Sequence, residues 1–408
     1  MLRAWSTGIA AMSETHARSV IMTSPGGQTP LRVMIVDDSA FVRALLSGWI
    51  AAEPDMRVAA VVRNGQAAVE EIVRAAPDVV LLDVEMPEMD GISALPLLLE
   101  KRPGVAIIMV SALTRRHADA SIQALMRGAA DYIAKPNARD ALAEGIDFRH
   151  DLVRKVRELG SARRGLSAPQ PRWAQAAVRQ ESGEMLRPVF HPAAGRRPHA
   201  RNLETIRLRP MSPFTPHVLL LGASTGGPQL LAQLFAGLGP VIDHVPVVLV
   251  QHMPSPFTSV LAEHLTRVSG RPAAEAVQGE PIRAGRTYVA PGGHHLRVER
   301  RGGEPVAVLD DGPPLHHCRP AVDILFESAA TAWGRAVLAA VLTGMGVDGA
   351  RGATRIVEAG GSVIAQDEAS SVVWGMPGAT ARTGACSELV GANAMASRLR
   401  TLFGRSAT

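Results

Sequence analysis

The stretch "LLLGASTGGPQLL" (Leu219–Leu231) joins a strand-like apolar run to a helix-like run through a glycine-rich turn. Its spacing, Gly222-x-Ser224-x-Gly226, fits a strand–turn–helix elbow that exposes a serine hydroxyl above the carboxyl edge of a parallel sheet. Glycine-rich turns after strands also bind phosphate groups, or simply allow a helix to pack closely on a strand. The stretch therefore predicts a parallel α/β sheet and leaves the role of Ser224 open.

Length and composition are those of an ordinary globular protein. The 408 residues are 47% hydrophobic and 20% charged, which predicts two or three domains. No apolar run approaches the roughly 18 residues of a membrane span, and no signal peptide opens the chain. We therefore expect a cytoplasmic protein without membrane insertion. Two cysteines, Cys318 and Cys386, exclude a disulfide framework, and the sequence assigns neither a role.

The first half of the chain alternates short β-branched runs with amphipathic stretches. The runs are "RVMIV" (32–36), "RVAAVV" (57–62), "DVVLLD" (78–83), "VAIIMVS" (105–111) and "DYIA" (131–134). The helix-like stretches start at Ala40, Gly65, Ile92, Ala118 and Ala138. This alternation predicts a doubly wound, flavodoxin-like domain with five parallel strands.

The second half resumes the same alternation after a basic segment. Residues 151–215 contain 13 Lys and Arg against 5 Asp and Glu. A basic segment can bind nucleic acid, but the chain has no helix-turn-helix spacing and few aromatic residues, which favours a solvated tether. We predict a disordered leader (1–30), a first domain (31–151), a flexible linker (152–214) and a second parallel-sheet α/β domain with an embedded β-hairpin (215–403).

Polar residues follow several strands of the first predicted sheet. Asp37 and Asp38 end its first strand, Asp83 ends the third, Ser111 ends the fourth and Lys135 follows the fifth. Clustered carboxylates repel unless a cation joins them, and Mg²⁺ prefers oxygen ligands. With Mg²⁺ bound, Asp83 could attack a phosphoryl group that Lys135 and Ser111 hold. The alternative is that these acids only cap helices, which requires neither the lysine nor the hydroxyl.

The motifs "VDDS", "LLDVEMPEMDG", "MVSA" and "DYIAKP" resemble the receiver domain of bacterial response regulators. The resemblance implies that Asp83 accepts a phosphoryl group from a histidine kinase. It also implies that Asp37, Asp38 and the Glu85 backbone carbonyl hold Mg²⁺ with Asp83, and that Ser111 and Tyr132 switch on phosphorylation.

Ser224 needs a base and an orienting carboxylate if it is a nucleophile. His252 directly ends the run "VVLVQH", and Asp348 lies in "AVLTGMGVDG" at the entry to a helix. All three should meet at the carboxyl edge of one sheet, in a chain order that differs from the Ser–Asp–His order of α/β-hydrolases. The backbone around Thr225, Gly226 and Met345 could then receive an oxyanion.

Two structural alternatives apply to this set of residues. Ser224 and Asp348 could each cap a helix, and His252 could be a hydrogen-bonded strand end. The tract "PPLHHC" could hold zinc through His316, His317 and Cys318, although adjacent ligands without a second cluster favour a loop beside the cleft.

The motifs "LLGASTGGP", "VLVQHMP", "VAPGGHHL", "HCRPAVD" and "LTGMGVDGA" resemble the chemotaxis-specific protein-glutamate methylesterases, the CheB family. The resemblance implies a phosphorylation-activated hydrolase that demethylates glutamate methyl esters on chemoreceptor helices, releases methanol and deamidates glutamines. It implies no cofactor in the second domain. Cys318 departs from the family pattern, because a more polar residue is usual there.

Two other classes of function remain open. The second domain could have lost catalysis and serve as a phosphorylation-controlled binding module, which an intact Ser224, His252 and Asp348 set argues against. A regulator that contacts DNA through the linker would need a recognition-helix domain, and the sequence contains none. We therefore expect no nucleic-acid partner.

Overall fold

The computed structural model describes residues 29–135, 144–165 and 206–404. The first domain is a parallel sheet of five strands in the order β2-β1-β3-β4-β5, the flavodoxin-like order. Its strands are β1 (Leu31–Val36), β2 (Met56–Val62), β3 (Val79–Asp83), β4 (Ala106–Ser111) and β5 (Asp131–Ala134). Its helices are α1 (Ala40–Ala51), α2 (Gly65–Ala75), α3 (Gly91–Lys101), α4 (Arg115–Met126) and α5 (Glu144–Gly165).

The side chains before the first four helices explain where those helices begin. Ser39, Asn64, Asp90 and Thr114 each accept a hydrogen bond from a backbone N–H of the following first turn. Such N-caps satisfy amide donors that have no partner within the helix. The Thr114 cap starts α4 at Arg115, three residues before the expected Ala118.

The second domain has a parallel sheet of seven strands in the order β14-β13-β12-β6-β7-β9-β8. Its strands are β6 (Val218–Ala223), β7 (Val247–Gln251), β8 (Ala273–Glu275), β9 (Thr287–Val289), β12 (Val337–Val341), β13 (Ser362–Gln366) and β14 (Cys386–Val390). Its helices are α6 (Gly227–Phe235), α7 (Gly239–His244), α8 (Phe257–Ser269), α9 (Val322–Trp333), α10 (Ala350–Glu358), α11 (Met376–Arg382) and α12 (Ala392–Gly404). The expected hairpin is present as β10 (His295–Arg301) and β11 (Glu304–Asp310).

Strand β6 lies at the centre of this sheet, between β7 and β12. Ala223 at its end pairs with Gln251 of β7, and Gly222 pairs with Val341 of β12. All three strands run in parallel, so the loops that follow them meet at one edge. Ser224 and His252, and the turn that carries Asp348, therefore share that edge.

Described structure extends into both ends of the predicted linker, 152–214. Helix α5 continues to Gly165, because Leu152, Val156 and Leu159 recur at helical spacing and are buried against the first sheet. On the other side, Arg209 N donates to Cys386 O, and Ser212 N donates to Ser362 Oγ. Residues 206–214 therefore pack on the second domain. The central part of the predicted linker, 166–205, and residues 1–28 of the predicted leader lie outside the described residues.

The two domains contact each other through β5 and α4 of the first and α6 and α8 of the second. The ring of Tyr132 stacks on that of Phe257 with centroids 4.4 Å apart. Gln229 Nε2 donates to Ala129 O at 2.5 Å, and Arg115 pairs with Glu263. In the described part of the chain, no helix is both long enough and apolar enough to cross a membrane.

Candidate active site

Ser224 directly follows β6, where hydrogen bonds fix its backbone. Its N–H donates to Thr343 O at 3.0 Å. Its carbonyl accepts from Gly227 N at 2.8 Å and from Gln251 Nε2 at 2.9 Å. The serine is partly exposed, whereas its neighbours Ala223 and Thr225 are buried. The turn therefore holds the serine backbone rigidly while its side chain stays accessible.

Two glycines make this turn possible. Gly226 has φ +77° and precedes α6, a conformation that most side chains disfavour. A Cβ at Gly227 would lie 2.0 Å from Gln251 Oε1 and 2.9 Å from Ala223 Cβ. The chain can therefore pass this close to Gln251 only because residue 227 has no side chain.

His252 and Asp348 form a buried pair beside this turn. His252 N donates to Ala223 O at 3.0 Å, which fixes the histidine next to Ser224. His252 Nε2 lies 2.8 Å from Asp348 Oδ2, and the Asp348 residue is only 1% exposed. Asp348 Oδ2 also accepts from Val322 N at 2.6 Å, and Oδ1 accepts from Asp323 N at 2.8 Å. The carboxylate thus caps α9 while it faces the imidazole.

The pKa values of the pair follow from this arrangement. Burial works to raise the pKa of Asp348, but its hydrogen bonds with His252 and with the backbone N–H groups hold that pKa below its ordinary value. Burial works to lower the pKa of His252, but the interactions with Cys318 and Asp348 outweigh it, so the net pKa is raised. Asp348 therefore stays ionised and holds a proton on Nε2.

Cys318 occupies the other side of the histidine. Its Sγ lies 3.5 Å from His252 Nδ1. The tract 315–318 is a loop beside the cleft, as the sequence analysis expected, and a backbone pair between Leu315 and Cys318 closes it. The structure does not bring His316, His317 and Cys318 together as zinc ligands. It places the cysteine against the imidazole and His316 near Asp323 instead.

Several backbone N–H groups near Ser224 are unpaired in the described part of the chain. Within the described residues, no acceptor is found for the N–H groups of Thr225, Gly226 and Met345. Met345 itself is buried in one hydrophobic cluster with receiver residues such as Leu152. These are the positions that the sequence analysis assigned to the oxyanion region.

The predicted acidic pocket lies at the carboxyl edge of the first sheet. Carboxylate oxygens of Asp37, Asp38 and Asp83 all lie within 4.8 Å of one another. Lys135 Nζ lies 2.9 Å from both Asp37 Oδ2 and Asp83 Oδ2. Three clustered carboxylates provide the hard oxygen donors that Mg²⁺ prefers, so the residues present fit that ion.

The titration of Asp83 reflects its crowded position. Burial raises the pKa of Asp83 to about 6, with the Asp37 carboxylate acting in the same direction and Lys135 opposing both. A cation bound among these carboxylates would favour the ionised form.

The predicted switch residues lie at the end of β4 and in β5 of the first domain. Ser111 is fully buried, and its hydroxyl donates to His117 O at 3.4 Å. Tyr132 is 5% exposed and stacks on Phe257. The Glu85 side chain, in contrast, points to Arg116 and His117, at 3.4 and 3.2 Å.

A hydrogen bond joins the receiver to the residue that follows Ser224. Thr225 Oγ1 donates to Asp131 Oδ2 at 2.6 Å, in a buried position. Lys155 Nζ lies 3.1 Å from the same carboxylate oxygen and donates to Tyr132 O at 2.6 Å. The first domain thus contacts the turn after Ser224 through Asp131 of β5, and Lys155 of α5 holds that carboxylate in place.

Sequence reasoning missed three residues that hold this site together. Gln251 supports the Ser224 carbonyl, and Thr343 Oγ1 donates to Thr225 O at 2.9 Å while it accepts from Val373 N at 3.1 Å. Asp323 Oδ1 accepts from Gly349 N at 2.9 Å and so anchors the Asp348 turn. Gln251 and Thr343 are polar residues at the ends of apolar runs, a signal that could have identified them.

Comparison with known proteins agrees with this two-domain arrangement. The CheB methylesterase family matches residues 219–399, and the response regulator receiver domain matches residues 33–147. A Rhodopseudomonas palustris protein-glutamate methylesterase/protein-glutamine glutaminase is 52% identical over 93% of this chain and 96% of its own. The chain belongs to the CheB methylesterase family. A Bradyrhizobium diazoefficiens protein of the same name is 53% identical over 92% of this chain and 94% of its own.

Two solved structures of CheB domains also match. The Thermotoga maritima CheB methylesterase catalytic domain is 36% identical, covers 46% of this chain and 100% of its own, and has a TM-score of 0.45. The response regulator domain of Thermotoga maritima CheB is 39% identical, covers 32% of this chain and 97% of its own, and has a TM-score of 0.30. The family matches and the curated relatives confirm the family resemblance inferred from the sequence, and the parallel sheets with their helices confirm the fold class. The protein is an enzyme that couples a receiver domain to a methylesterase domain.

Proposed function

We propose that the second domain hydrolyses γ-glutamyl methyl esters on chemoreceptor helices, releasing methanol, and deamidates receptor glutamines, with Ser224, His252 and Asp348 as its catalytic residues. The observation that carries this assignment is the 2.8 Å bond from His252 Nε2 to a buried Asp348, beside a partly exposed Ser224 on the adjacent strand end. A serine nucleophile needs a base and an orienting carboxylate, and the oriented imidazole next to the serine turn supports these roles.

Asp348 engages Nε2, so Nδ1 is the nitrogen that takes the serine proton. Ser224 Oγ attacks the side-chain carbonyl of the substrate as Nδ1 accepts its proton, and the same proton then passes to the departing methanol or ammonia. Water, deprotonated by Nδ1, releases the glutamate from the acyl-serine. Asp348 stabilises the imidazolium in both steps.

The free N–H groups of Thr225, Gly226 and Met345 lie at the edge where the oxyanion of the tetrahedral intermediate would develop. Thr343 and Gln251 position this turn through its carbonyls, so its N–H groups are set in place before substrate binds. Preorganised donors of this kind stabilise developing charge without a reorganisation cost.

The receiver controls access to this edge. Asp83 accepts a phosphoryl group from a histidine kinase, Lys135 holds a phosphate oxygen, and Asp37, Asp38, Asp83 and the Glu85 carbonyl hold the metal. When bound, Mg²⁺ neutralises charge on the transferring phosphoryl group. Ser111 and Tyr132 then move, and the contacts of Tyr132 with Phe257 and of Asp131 with Thr225 loosen. We place this chemistry in the cytoplasm, where chemoreceptor signalling helices and kinases meet.

The described contacts also support revised domain limits. We propose that the receiver extends through the end of α5 at Gly165 and that the catalytic domain begins at Ile206, which packs against its core. The first limit keeps the buried residues Leu152, Val156 and Leu159 of α5, and the second keeps the contact of Ile206 with the core.

A methanol-release assay on methylated receptor membranes tests the assignment. Wild type, Ser224→Ala and Ser397→Ala are compared with and without a small phosphodonor, and ammonia release from receptor glutamines is followed in parallel. Ser397 is exposed on α12 and serves as the matched control. We expect Ser224→Ala to lose both activities while Asp83 is still phosphorylated. Esterase activity retained in Ser224→Ala would overturn the proposal.

A further inference from the structure

A second cluster of ligand-type side chains lies behind the catalytic pair. An imidazole nitrogen of His316 and carboxylate oxygens of Asp323 and Asp348 all lie within 4.8 Å of one another. The three residues come from the 315–318 loop, the first turn of α9 and the turn before α10. Neither the sequence motifs nor the proposed reaction uses this cluster as a unit.

Asp323 carries a carboxylate oxygen that no donor satisfies. Its Oδ1 accepts from Gly349 N at 2.9 Å and Gly352 N at 2.7 Å. Its Oδ2 has no hydrogen-bond donor among the described residues, although Asp323 is only 1% exposed. Arg351 Nε lies 4.0 Å away and is engaged by Glu327 at 2.5 Å. A buried carboxylate oxygen without a partner is costly, so this oxygen is suited to bind a cation.

The spacing within the cluster suits a small tetrahedral ion. His316 Nε2 and Asp323 Oδ2 are 3.5 Å apart, which is long for a charge-assisted hydrogen bond. Zinc holds nitrogen and oxygen ligands at about 2.0–2.2 Å, so two such ligands in a tetrahedron lie roughly 3.4 Å apart. The distance of 3.5 Å between His316 Nε2 and Asp323 Oδ2 matches this separation between two zinc ligands. An imidazole ligand also favours zinc over Mg²⁺, which prefers oxygen alone.

We propose that His316 and Asp323 bind an inhibitory zinc ion next to the Asp348 carboxylate, with solvent completing the coordination. His316 is half-exposed, so an ion can enter from the surface. Because Asp348 orients His252, a cation next to its carboxylate offsets the negative charge that stabilises the imidazolium and so weakens the base. This inhibitory effect rests on the proposed function, whereas the binding of the ion does not.

Cobalt spectroscopy tests binding without reference to activity. The metal-free full-length chain is titrated with Co²⁺ in excess Mg²⁺, which occupies the oxygen-ligated receiver pocket. We expect wild type and His317→Ala to give the intense visible absorption of tetrahedral Co²⁺, with zinc displacing it. His317 is an exposed neighbour outside the cluster and serves as the matched control. His316→Ala should lose this absorption and bind zinc at least about tenfold more weakly.

An equal signal in His316→Ala, or no tetrahedral signal in wild type, would overturn the site. Asp323→Asn gives a second check, because it keeps an oxygen for Gly349 and Gly352 but weakens the metal ligand. Circular dichroism establishes that each variant is folded.

An assay of methanol release in the presence of zinc tests whether the bound ion inhibits the enzyme. Wild type and His317→Ala should be inhibited at a zinc concentration at least about tenfold lower than His316→Ala. Zinc that binds without inhibiting would overturn the inhibitory role. Absence of esterase activity in every protein, with cobalt binding intact, would instead refute the proposed function and leave the metal site standing.

Discussion

Cys318 Sγ lies 3.5 Å from His252 Nδ1, on the side of the imidazole opposite the nitrogen that meets Asp348. In the proposed mechanism this same nitrogen takes the proton of Ser224. In that mechanism the thiol and the serine hydroxyl therefore share one acceptor.

Cys318→Ala should move the rising limb of the profile of kcat/KM against pH to lower pH. A general base acts when unprotonated, so kcat/KM rises as pH increases through the pKa of His252. Burial lowers that pKa, but Cys318 and Asp348 raise it further than burial lowers it. Removing Cys318 removes one raising interaction, so the rising limb should appear at lower pH. Cys386→Ala, in remote strand β14, is the matched control. If kcat/KM rises over the same pH range in wild type, Cys318→Ala and Cys386→Ala, this account is contradicted.

Gly227→Ala should reduce both stability and kcat. Its Cβ would lie 2.0 Å from Gln251 Oε1, so either Gln251 or the turn that carries Ser224 must move. Overpacking of this kind costs about 1–3 kcal/mol. Gly48→Ala is the matched control, because a Cβ at Gly48 in α1 meets nothing within 4 Å. Thermal unfolding and methanol release measure the two effects, and a Gly227→Ala enzyme with unaltered kcat would count against a rigid serine turn.

The elements themselves were largely predictable, since buried parallel strands appear as continuous apolar runs. The five receiver runs match β1 to β5 to within one residue at each end. Strands β8 and β14 were not identified, because "AAE" is too short and "CSELV" is interrupted by polar residues. The predicted linker overlaps the end of α5, because the composition there is basic although Leu152, Val156 and Leu159 keep helical spacing.

The site was less predictable than the fold. Placement of Ser224, His252 and Asp348 follows from strand ends, since parallel strands bring their following loops to one edge. The contact of Cys318 with His252 depends on how a loop of irregular conformation folds back, including positive φ at His316 and His317. The conformation of such a loop cannot be predicted from a periodic pattern in the sequence. The Thr225–Asp131 bond depends on how two domains dock, which local sequence does not specify.

Gln229→Ala should raise the activity of the unphosphorylated enzyme. Gln229 Nε2 donates to Ala129 O across the domain contact at 2.5 Å. A hydrogen bond contributes about 0.5–1.5 kcal/mol, so its loss should increase basal methanol release about two- to tenfold. Activity with a saturating phosphodonor should not change. Gln233→Ala is the matched control, because Gln233 lies on the same helix but bonds Asn393 within the catalytic domain at 2.8 Å. Equal basal rates in the two variants would show that this contact does not restrain the enzyme.

Asp83→Asn should stabilise the metal-free protein at neutral pH but not at acidic pH. Asp83 has a folded pKa of about 6, raised first by burial and then by Asp37, against an ordinary value of 3.8. Between these values the folded state binds more protons than the unfolded state, so stability falls as pH rises from about 4 to about 6. The asparagine removes this loss, which we expect to be about 1–3 kcal/mol.

Thermal unfolding in a chelator at pH 4 and pH 7.5 measures the difference between the two proteins. The Tm of Asp83→Asn should exceed that of wild type at pH 7.5, and the two Tm values should be similar at pH 4. Adding Mg²⁺ should raise the Tm of wild type more than that of Asp83→Asn, because a ligand stabilises the state that binds it more tightly. A gap in Tm that is the same at both pH values would mean that the ionisation of Asp83 does not limit the stability of the receiver.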